Sequence, residues 1–203
     1  MADFLLELLS EEIPARMQAK ARNDLARMFA EEMDKSGLSI GHIEAFSTPR
    51  RLALIARDVA DATEAAHEEL KGPRANAPTQ ALEGFLRKTG LSREQLEERD
   101  GVFYAVIERA GRGAADVVGE AVIRIVGDFP WPKSMRWSDN SLRWVRPLHG
   151  IVAILGEEIV PVEVGGNSSG ASTVGHRFHH PGPITIGGAA DYIEKLRACH
   201  VII

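Results

Sequence analysis

The amino-acid sequence predicts an α+β fold, with mixed or antiparallel sheets, helices packed on them, and two or three small subdomains. Short apolar runs bounded by turn residues indicate strands, and longer stretches with apolar residues at steps of three and four indicate helices. Apolar residues make up 44% of the 203 positions, enough for a sizeable core without cross-links. The single cysteine, Cys199, excludes an internal disulfide framework and indicates a reducing compartment.

A β-α-β-β unit is predicted over residues 1–71. Its elements are, in chain order, a buried strand, a long helix and two extended segments: residues 4–9, 14–36, 42–48 and 51–60. Pro14 suits the first position of a helix, where its missing N–H would have no partner, and Gly37 suits the position after the last turn. The helix has one apolar stripe, so we expect it to pack on the sheet.

An inserted α+β subdomain is predicted over residues 72–130. Residues 71–78 are rich in glycine and proline and are predicted as a loop, after which Thr79 is placed at the start of a helix. Ser92 followed by Gln95 resembles a capping box for a second short helix. The remaining elements are a strand and a helix: residues 102–107 and 114–126.

A β-rich region with a hairpin and a C-terminal helix is predicted over residues 131–203. Its elements are two hairpin strands, a polar loop, a short strand and a helix: residues 145–155, 159–164, 165–172, 184–186 and 189–198. Pro161 places the second hairpin strand at a sheet edge, because proline cannot donate to a neighbouring strand. The chain stops within the apolar residues 199–203, which indicates either a terminal strand inside a sheet or a fragment of a longer protein.

The charge balance is mildly acidic, with 24 Lys and Arg residues against 29 Asp and Glu residues. This balance argues against a non-specific coat on DNA or RNA but allows a local basic face. No run of about 18 apolar residues is present, and Asp3 stands where a signal peptide carries positive charge. The sequence therefore predicts a soluble cytoplasmic protein without a membrane partner.

Common catalytic and nucleotide-binding motifs are missing from the sequence. Gly111-Arg112-Gly113 lies between a predicted strand and helix, but Asp116 stands where a dinucleotide-binding loop has its third glycine. There is no P-loop and no G-x-S-x-G nucleophile elbow. Cys199 and His200 are neighbours, and neighbouring side chains on a helix do not face each other. We therefore assign no catalytic residue.

Three histidines lie close together at His176, His179 and His180, a number that could bind a transition metal. No Asp, Glu or Cys stands at a spacing that would complete a site, and Arg177 would repel a cation. The sequence therefore favours histidines that contact an anion or the backbone, and no metal ligand is assigned.

The segment 131–149 contains all three tryptophans and has four Lys and Arg residues against one carboxylate, that of Asp139. Aromatic rings between cations suit stacking on RNA bases and pairing with phosphates. Tryptophan and arginine also stack on each other inside proteins, and the spacing favours neither alternative. Together with a second basic point at residues 48–51 and the histidine segment, this gives the candidate contact residues: Arg50, Arg51, Trp131, Lys133, Arg136, Trp137, Arg143, Arg146, His149, His176 and Arg177.

Seven stretches form an ordered set of motifs along residues 4–203: residues 5–14, 48–54, 71–73, 81–85, 129–137, 145–149 and 175–178. No single stretch is decisive, but the ordered set is specific. It resembles the N-terminal part of the β subunit of the bacterial tetrameric (α2β2) glycyl-tRNA synthetase. Of the two explanations for the apolar residues 199–203, this resemblance favours a fragment of a longer protein.

The resemblance implies a division of labour between two subunits of a glycine–tRNA ligase in the bacterial cytoplasm. The α subunit would carry the class II catalytic core and use ATP, Mg²⁺ and glycine, so no cofactor is expected on this region. The partners implied are the α subunit and tRNA(Gly), contacted for recognition or assembly, and this region alone would be inactive. An HD-like helical domain and an anticodon-binding domain would follow it.

Two other functions are compatible with the sequence. The tryptophan and arginine segment alone is compatible with a stand-alone RNA-binding α+β module without enzymatic activity. The histidines are compatible with a small metalloenzyme. Lys133-Ser134-Met135 superficially resembles a class I synthetase signature, but the residue order is wrong and no partner motif stands upstream.

Overall fold

The computed structural model describes residues 1–139 and 141–203, with side chains except at 66–68 and 107–109. Two units divide the chain: the larger combines Met1–Thr63 with Gly113–Ile203, and the smaller is Glu64–Arg112. The strands and helices are β1 (Ala2–Ser10), α1 (Ala15–Ser36), β2 (Ile43–Ser47), β3 (Arg51–Val59), β4 (Ala66–Arg74), α2 (Thr79–Thr89), β5 (Leu96–Arg99), β6 (Val102–Arg109), α3 (Ala114–Gly127), β7 (Leu148–Leu155), β8 (Glu158–Ile159), β9 (Glu163–Val164), β10 (Asn167–Gly170), β11 (Ser172–Val174), β12 (Pro183–Thr185) and α4 (Ala189–Ala198). Helices and mixed sheets occur together, so the predicted α+β class is confirmed.

A seven-stranded sheet forms the centre of the larger unit. Its strand order is β2-β3-β1-β7-β10-β9, and the short β8 also pairs with β7. Leu6 of β1 lies opposite Leu54 of β3 on one side and Ala153 of β7 on the other, and both pairings are antiparallel. Only β10 runs parallel to its neighbour β7 among the described pairings of this sheet. The N-terminal strand is therefore central.

Both faces of β1 are covered, which explains its unbroken apolar run. Successive side chains of a strand point to opposite faces. Phe4 and Leu6 belong to the core under α1 and α3, whereas Leu5 belongs to a second core with Tyr192 and Leu196 of α4. The sheet thus has α1 and α3 on one face, and α4 on the other together with β11 and β12.

Helix α1 confirms the predicted helix over residues 14–36. Its buried stripe recurs at steps of four: Met17, Ala21, Leu25, Phe29 and Met33. Phe29 stacks on Phe4 of the sheet with 5.5 Å between ring centroids, and full burial of such a ring contributes about 1.5–3 kcal/mol. Gly37 ends the helix at φ 70°, and its amide donates to the carbonyls of Asp34 and Met33.

The smaller unit contains the three-stranded antiparallel sheet β4-β6-β5, helix α2 and a 3₁₀ turn at Arg93–Gln95. The predicted capping box of that turn is confirmed, and the Ser92 amide donates to Oε1 of Gln95 at 2.8 Å. The loop predicted over residues 71–78 is wrong in its first half, because β4 continues to Arg74. A register shift between Lys71 and Arg74 on this edge strand accommodates the glycine and the proline.

The two units differ from the predicted division at residues 71/72 and 130/131. Helix α3 was expected in the inserted segment 72–130, but it packs against α1 in the core of the larger unit. Its buried face, which includes Val118 and Val122, needs an apolar partner, and α1 provides one. The insertion in the structure is therefore Glu64–Arg112.

The predicted hairpin after β7 is shorter than expected. Only Glu158–Ile159 returns along β7, and the predicted polar loop contains β10. The hydroxyl of Ser169 accepts a bond from the Val162 amide at 2.9 Å and donates to the Val160 carbonyl at 2.7 Å. Side-chain bonds thus hold a strand that its polar composition did not indicate. Helix α4 begins and ends where it was predicted.

Candidate functional site

One end of the central sheet brings together four segments that are far apart in the sequence: residues 10–14, 48–51, 147–149 and 175–177. The first follows β1, the second precedes β3, the third enters β7 and the last follows β11. Each belongs to one of the seven motifs on which the sequence analysis depends. The fold therefore brings these four motifs to one corner of the larger unit.

Hydrogen bonds connect the first three of these segments, and Arg177 of the fourth donates to Glu12. The Ile13 amide donates to the Pro49 carbonyl at 2.5 Å, and the Glu11 amide donates to the Pro147 carbonyl at 3.0 Å. The Glu11 carboxylate also pairs with Nε2 of His149 at 2.8 Å. His149, a predicted contact residue, is thus held by a carboxylate at the surface.

A cavity of about 310 Å³ opens between residues 10–14, 48–51 and 175–177, and we call it the corner cavity. It brings together four of the predicted contact residues: Arg50, Arg51, His176 and Arg177. Two titratable side chains in its wall, Glu12 and His200, were not among the predicted contact residues. Glu12 belongs to an acidic pair at the end of the first strand, and His200 was weighed only as a neighbour of Cys199, so neither was selected as a contact residue.

Arg51 lies inside the protein rather than at its surface, with 4% of the residue exposed. Its Nε donates to Oε2 of the buried Glu7 at 3.1 Å. The Glu7 carboxylate also accepts from the hydroxyls of Thr173 and Tyr192, the latter at 2.5 Å. Burial, followed by the charge of Glu7, raises the pKa of Tyr192 well above its ordinary value. The expectation of Arg51 as an exposed contact is therefore corrected, because Glu7 balances its charge in the core.

Glu7 itself had a signal in the sequence. It is the only carboxylate in the apolar run of residues 4–9, and a buried charge requires a partner of opposite charge and further hydrogen bonds. Sequence separation concealed which residues would provide them, because Arg51 is 44 positions away and Tyr192 is 185 positions away.

The other polar groups of the corner cavity are more accessible. Arg50 is half-buried, and its Nε donates to the Ser10 carbonyl at 3.4 Å. Arg177 is exposed and pairs with Glu12. Nδ1 of His176 accepts from the backbone amides of residues 178 and 179, at 3.3 Å each, so a neutral His176 carries its proton on Nε2.

The tryptophans form a structural cluster. Trp131 packs on Phe129 and Trp144 with centroid distances of 4.7 and 5.0 Å, and Trp144 is 1% exposed. Trp137 is half-buried and packs against the same core. In the described part of the chain, the indole N–H groups of Trp131 and Trp144 are buried without an acceptor. The structural alternative is therefore favoured over stacking on bases, because the rings of Trp131 and Trp144 already contact each other and Phe129.

The cations between the tryptophans remain at the surface. An isolated antiparallel bridge joins Met135 to Trp144, so Arg136 and Arg143 belong to two adjoining segments. We call the four cations of these two segments the basic surface: Lys133, Arg136, Arg143 and Arg146. The first three are exposed and Arg146 is half-buried.

Within residues 1–139 and 141–203, the side chains of the basic surface form hydrogen bonds only with neutral groups of the protein. Nε of Arg143 donates to the Ser134 hydroxyl at 3.2 Å, and Arg146 donates to the Val145 carbonyl at 2.8 Å. No described carboxylate lies within ion-pair distance of the four cations, although carboxylates outnumber cations in the chain. Like charges on adjoining segments repel each other, so this surface favours an anionic partner.

The histidine segment gives no support to a metalloenzyme. Among the described residues, no group of three or more His, Cys, Asp or Glu side chains is arranged to hold a metal ion. Instead the ring of His176 packs on that of His179 with 4.6 Å between centroids, and His179 approaches His200 at 5.5 Å. In the same described part of the chain, no helix is long and apolar enough to cross a membrane.

Comparisons with known proteins agree with the motif set. A family model described as glycyl-tRNA synthetase beta subunit matches residues 4–203. The glycine–tRNA ligase beta subunits of Paracoccus denitrificans, Dinoroseobacter shibae and Phenylobacterium zucineum are 51%, 49% and 53% identical to the chain. Each alignment covers all of this chain but only 31%, 29% and 30% of the respective relative. The chain therefore belongs to the glycyl-tRNA synthetase beta subunit family and spans about three-tenths of the length of these relatives.

Proposed function

We propose that this chain acts within a glycine–tRNA ligase, where it contacts tRNA(Gly) and supports assembly of the β subunit with an α subunit. The observation that carries the RNA contact is the basic surface, whose cations have no described carboxylate partner in an acidic chain. A surface of this kind attracts phosphates and releases the counterions that they hold. Family membership provides the reaction in which such a contact would serve.

Catalysis belongs to the α subunit in this proposal. The sequence contains no adenylate-forming signature, so ATP and Mg²⁺ are assigned to the α subunit of a cytoplasmic α2β2 enzyme. The α subunit would activate glycine and transfer it to the terminal ribose of tRNA. This region would raise the affinity for tRNA or hold the subunits together, and it would not exchange ATP with pyrophosphate on its own.

The tRNA contact can be tested in the complete enzyme. Glycylation of tRNA(Gly) is measured with an α subunit and the full β subunit that carries this region, either unchanged or with Arg136→Gln and Arg143→Gln together. We expect the KM for tRNA to rise roughly tenfold or more, and its dependence on salt to become less steep. The matched control is Arg27→Gln, since Arg27 is an exposed cation of α1 that pairs with Glu31.

The outcomes separate recognition from assembly. A rise in KM for tRNA at unchanged subunit association supports the tRNA contact. Loss of co-purification with the α subunit assigns the basic surface to the subunit interface. Kinetics and association that match the Arg27→Gln control would refute both roles of this surface and leave the family assignment intact.

The same observation favours a second candidate, a stand-alone RNA-binding module. In that case the 203-residue chain by itself would bind RNA with strong salt dependence and with no need for an α subunit. The comparison of isolated chain and complete enzyme, at equal salt concentration, distinguishes the two.

A further inference from the structure

We propose that the corner cavity is a binding site for the phosphate group of a nucleotide. This site is separate from the basic surface. The proposal rests on the proposed function only for the source of the ligand, which in a glycine–tRNA ligase would be an RNA chain. A free mononucleotide offers the same chemistry. The proposal therefore names the nucleotide phosphate, and the test separates its two sources.

The charge of the cavity wall selects an anion. Three arginines line it, Arg50, Arg51 and Arg177, against the single carboxylate of Glu12. Glu7 balances the charge of Arg51 from inside the core. No described carboxylate lies within ion-pair distance of Arg50, so its charge is available to a ligand.

The donors of the cavity are held in place before any ligand arrives. The hydroxyl oxygen of Thr48 accepts from the amides of Arg50 and Arg51, at 3.3 and 3.1 Å, and this fixes the turn that carries both arginines. Nε of Arg50 is held by the Ser10 carbonyl, which orients the guanidinium that carries the terminal nitrogens. Guanidinium groups bind phosphates with two parallel hydrogen bonds, so such orientation favours phosphate over a diffuse anion.

His176 adds a donor whose tautomer follows from its hydrogen bonds. Because two backbone amides donate to Nδ1, the proton of the neutral ring is on Nε2. The His176 amide donates to the Cys199 carbonyl at 3.0 Å, which connects this wall of the cavity to the end of α4. An imidazole N–H beside guanidinium groups is a suitable second contact for a phosphate oxygen.

The size and the apolar wall of the cavity favour one nucleotide unit rather than a bare ion. A volume of about 310 Å³ lies at the lower end of the range for small-molecule sites. Pro49, Val201 and Ile202 provide apolar surface beside the cations. A phosphate with its attached sugar would use both parts of this wall.

Glu12 competes with the proposed ligand. Its carboxylate pairs with Arg177, and both side chains are exposed, at 63% and 48%. A phosphate that binds Arg177 has to displace Glu12 or accept its repulsion. Removal of this negative charge should therefore tighten the binding of any phosphate, which is the opposite of the effect expected when a cation is removed.

The test titrates the 203-residue chain with AMP, with inorganic phosphate and with a short single-stranded RNA, and follows binding by calorimetry or by amide NMR shifts at low salt. We expect AMP to bind, Arg50→Gln to weaken that binding about tenfold or more, and Glu12→Gln to tighten it roughly two- to fivefold. The matched control is Arg136→Gln on the basic surface, which should leave AMP binding unchanged.

The arms of the test identify the source of the phosphate. RNA that competes with AMP, and whose binding also falls in Arg50→Gln, identifies an RNA phosphate; AMP binding without such competition identifies a free nucleotide. Absence of binding by all three probes, or AMP affinity that ignores both Arg50→Gln and Glu12→Gln, would overturn the proposal. RNA binding that depends on Arg136 alone, together with absence of AMP binding, would also overturn it, while the proposed function would stand. Glu12→Gln keeps the test valid if Arg50→Gln fails to fold, since Glu12 is exposed.

Discussion

The guanidinium of Arg51 meets the carboxylate of Glu7 inside the larger unit, with 3.1 Å between Nε and Oε2. Both side chains are at most 5% exposed. The carboxylate also accepts from Thr173 and Tyr192, and Arg51 donates to the Val174 carbonyl. This cluster connects β1 and β3 of the sheet with β11 and α4, which cover one of its faces.

Arg51→Ala should destabilise the protein by about 3–5 kcal/mol, because it leaves the Glu7 charge buried without its partner. The measurement is the free energy of unfolding in urea at pH 7. Arg50→Ala is the matched control, since the adjacent arginine is half-buried and its side chain donates to a backbone carbonyl, and it should cost about 1 kcal/mol. Equal losses for the two variants would contradict a stabilising role of the buried pair.

Tyr192→Phe should change how stability depends on alkaline pH. Burial and then the Glu7 charge raise the pKa of Tyr192 well above its ordinary value of 10.0. The folded-state pKa exceeds the unfolded-state one, so the stabilisation from the neutral phenol is complete below pH 10 and is lost as pH rises through the folded pKa.

The hydrogen bond to the Glu7 carboxylate makes the wild type more stable than Tyr192→Phe by about 1.5–3 kcal/mol at neutral pH. Above pH 10 this difference should shrink, by at most about 1.4 kcal/mol per pH unit. The measurement is the free energy of unfolding of both proteins at about pH 7, 9, 10 and 11, which covers the range in which the unfolded-state tyrosine titrates. A difference that stays constant to pH 11 would show that Tyr192 keeps an ordinary pKa.

Local sequence patterns were sufficient for the helices and for the central strand. The stripe of α1 and the apolar run of β1 are repeated within the segment itself, so periodicity identifies them. β10 and β4 were missed. Serine, glycine and proline in β10 and in the second half of β4 favour turns, and only pairing with a neighbouring strand makes these residues extended.

The candidate site was predictable in its parts but not in its assembly. Arg50, His176 and Arg177 were selected as separate basic points, and strands β1, β3 and β11 bring them to one cavity across more than a hundred positions. Pairings of such long range depend on sheet register, which a single sequence does not specify. Arg51 is the opposite case. Its sequence context is that of the adjacent Arg50, but its side chain is buried whereas Arg50 is half-buried.

Trp144→Phe should lower stability without lowering RNA affinity. The Trp144 ring lies between Phe129 and Trp131 in the core, with centroid distances of 5.0 Å to both, so a smaller ring leaves a gap that costs about 1–3 kcal/mol. Binding of tRNA to the complete enzyme, compared at one salt concentration, should match the wild type and exceed that of Arg136→Gln. Weaker RNA binding by a folded Trp144→Phe variant would restore the base-stacking alternative.

Gly72→Ala should destabilise the smaller unit, because two of the family motifs meet at this position. A Cβ atom on Gly72 would lie 2.5 Å from Cε1 of Phe85 and 2.8 Å from Cδ1. The ring of Phe85 belongs to α2 and would have to leave its place against β4, at a cost of about 1–3 kcal/mol. Glycine is thus required here by close packing and not by its backbone angles.

Gly84→Ala is the matched control, since it adds the same methyl group within the same unit. Nothing lies within 4 Å of its Cβ position, and alanine favours the interior of α2, so this variant should gain about 1 kcal/mol. Hydrogen exchange of the β4 and α2 amides measures both effects, with the β1 amides as an internal reference. Faster exchange in Gly72→Ala and slower exchange in Gly84→Ala is the expected pair. Equal protection in both variants would contradict the prediction. It would show that the Phe85 ring can move away from a methyl group at Gly72 without destabilising the smaller unit.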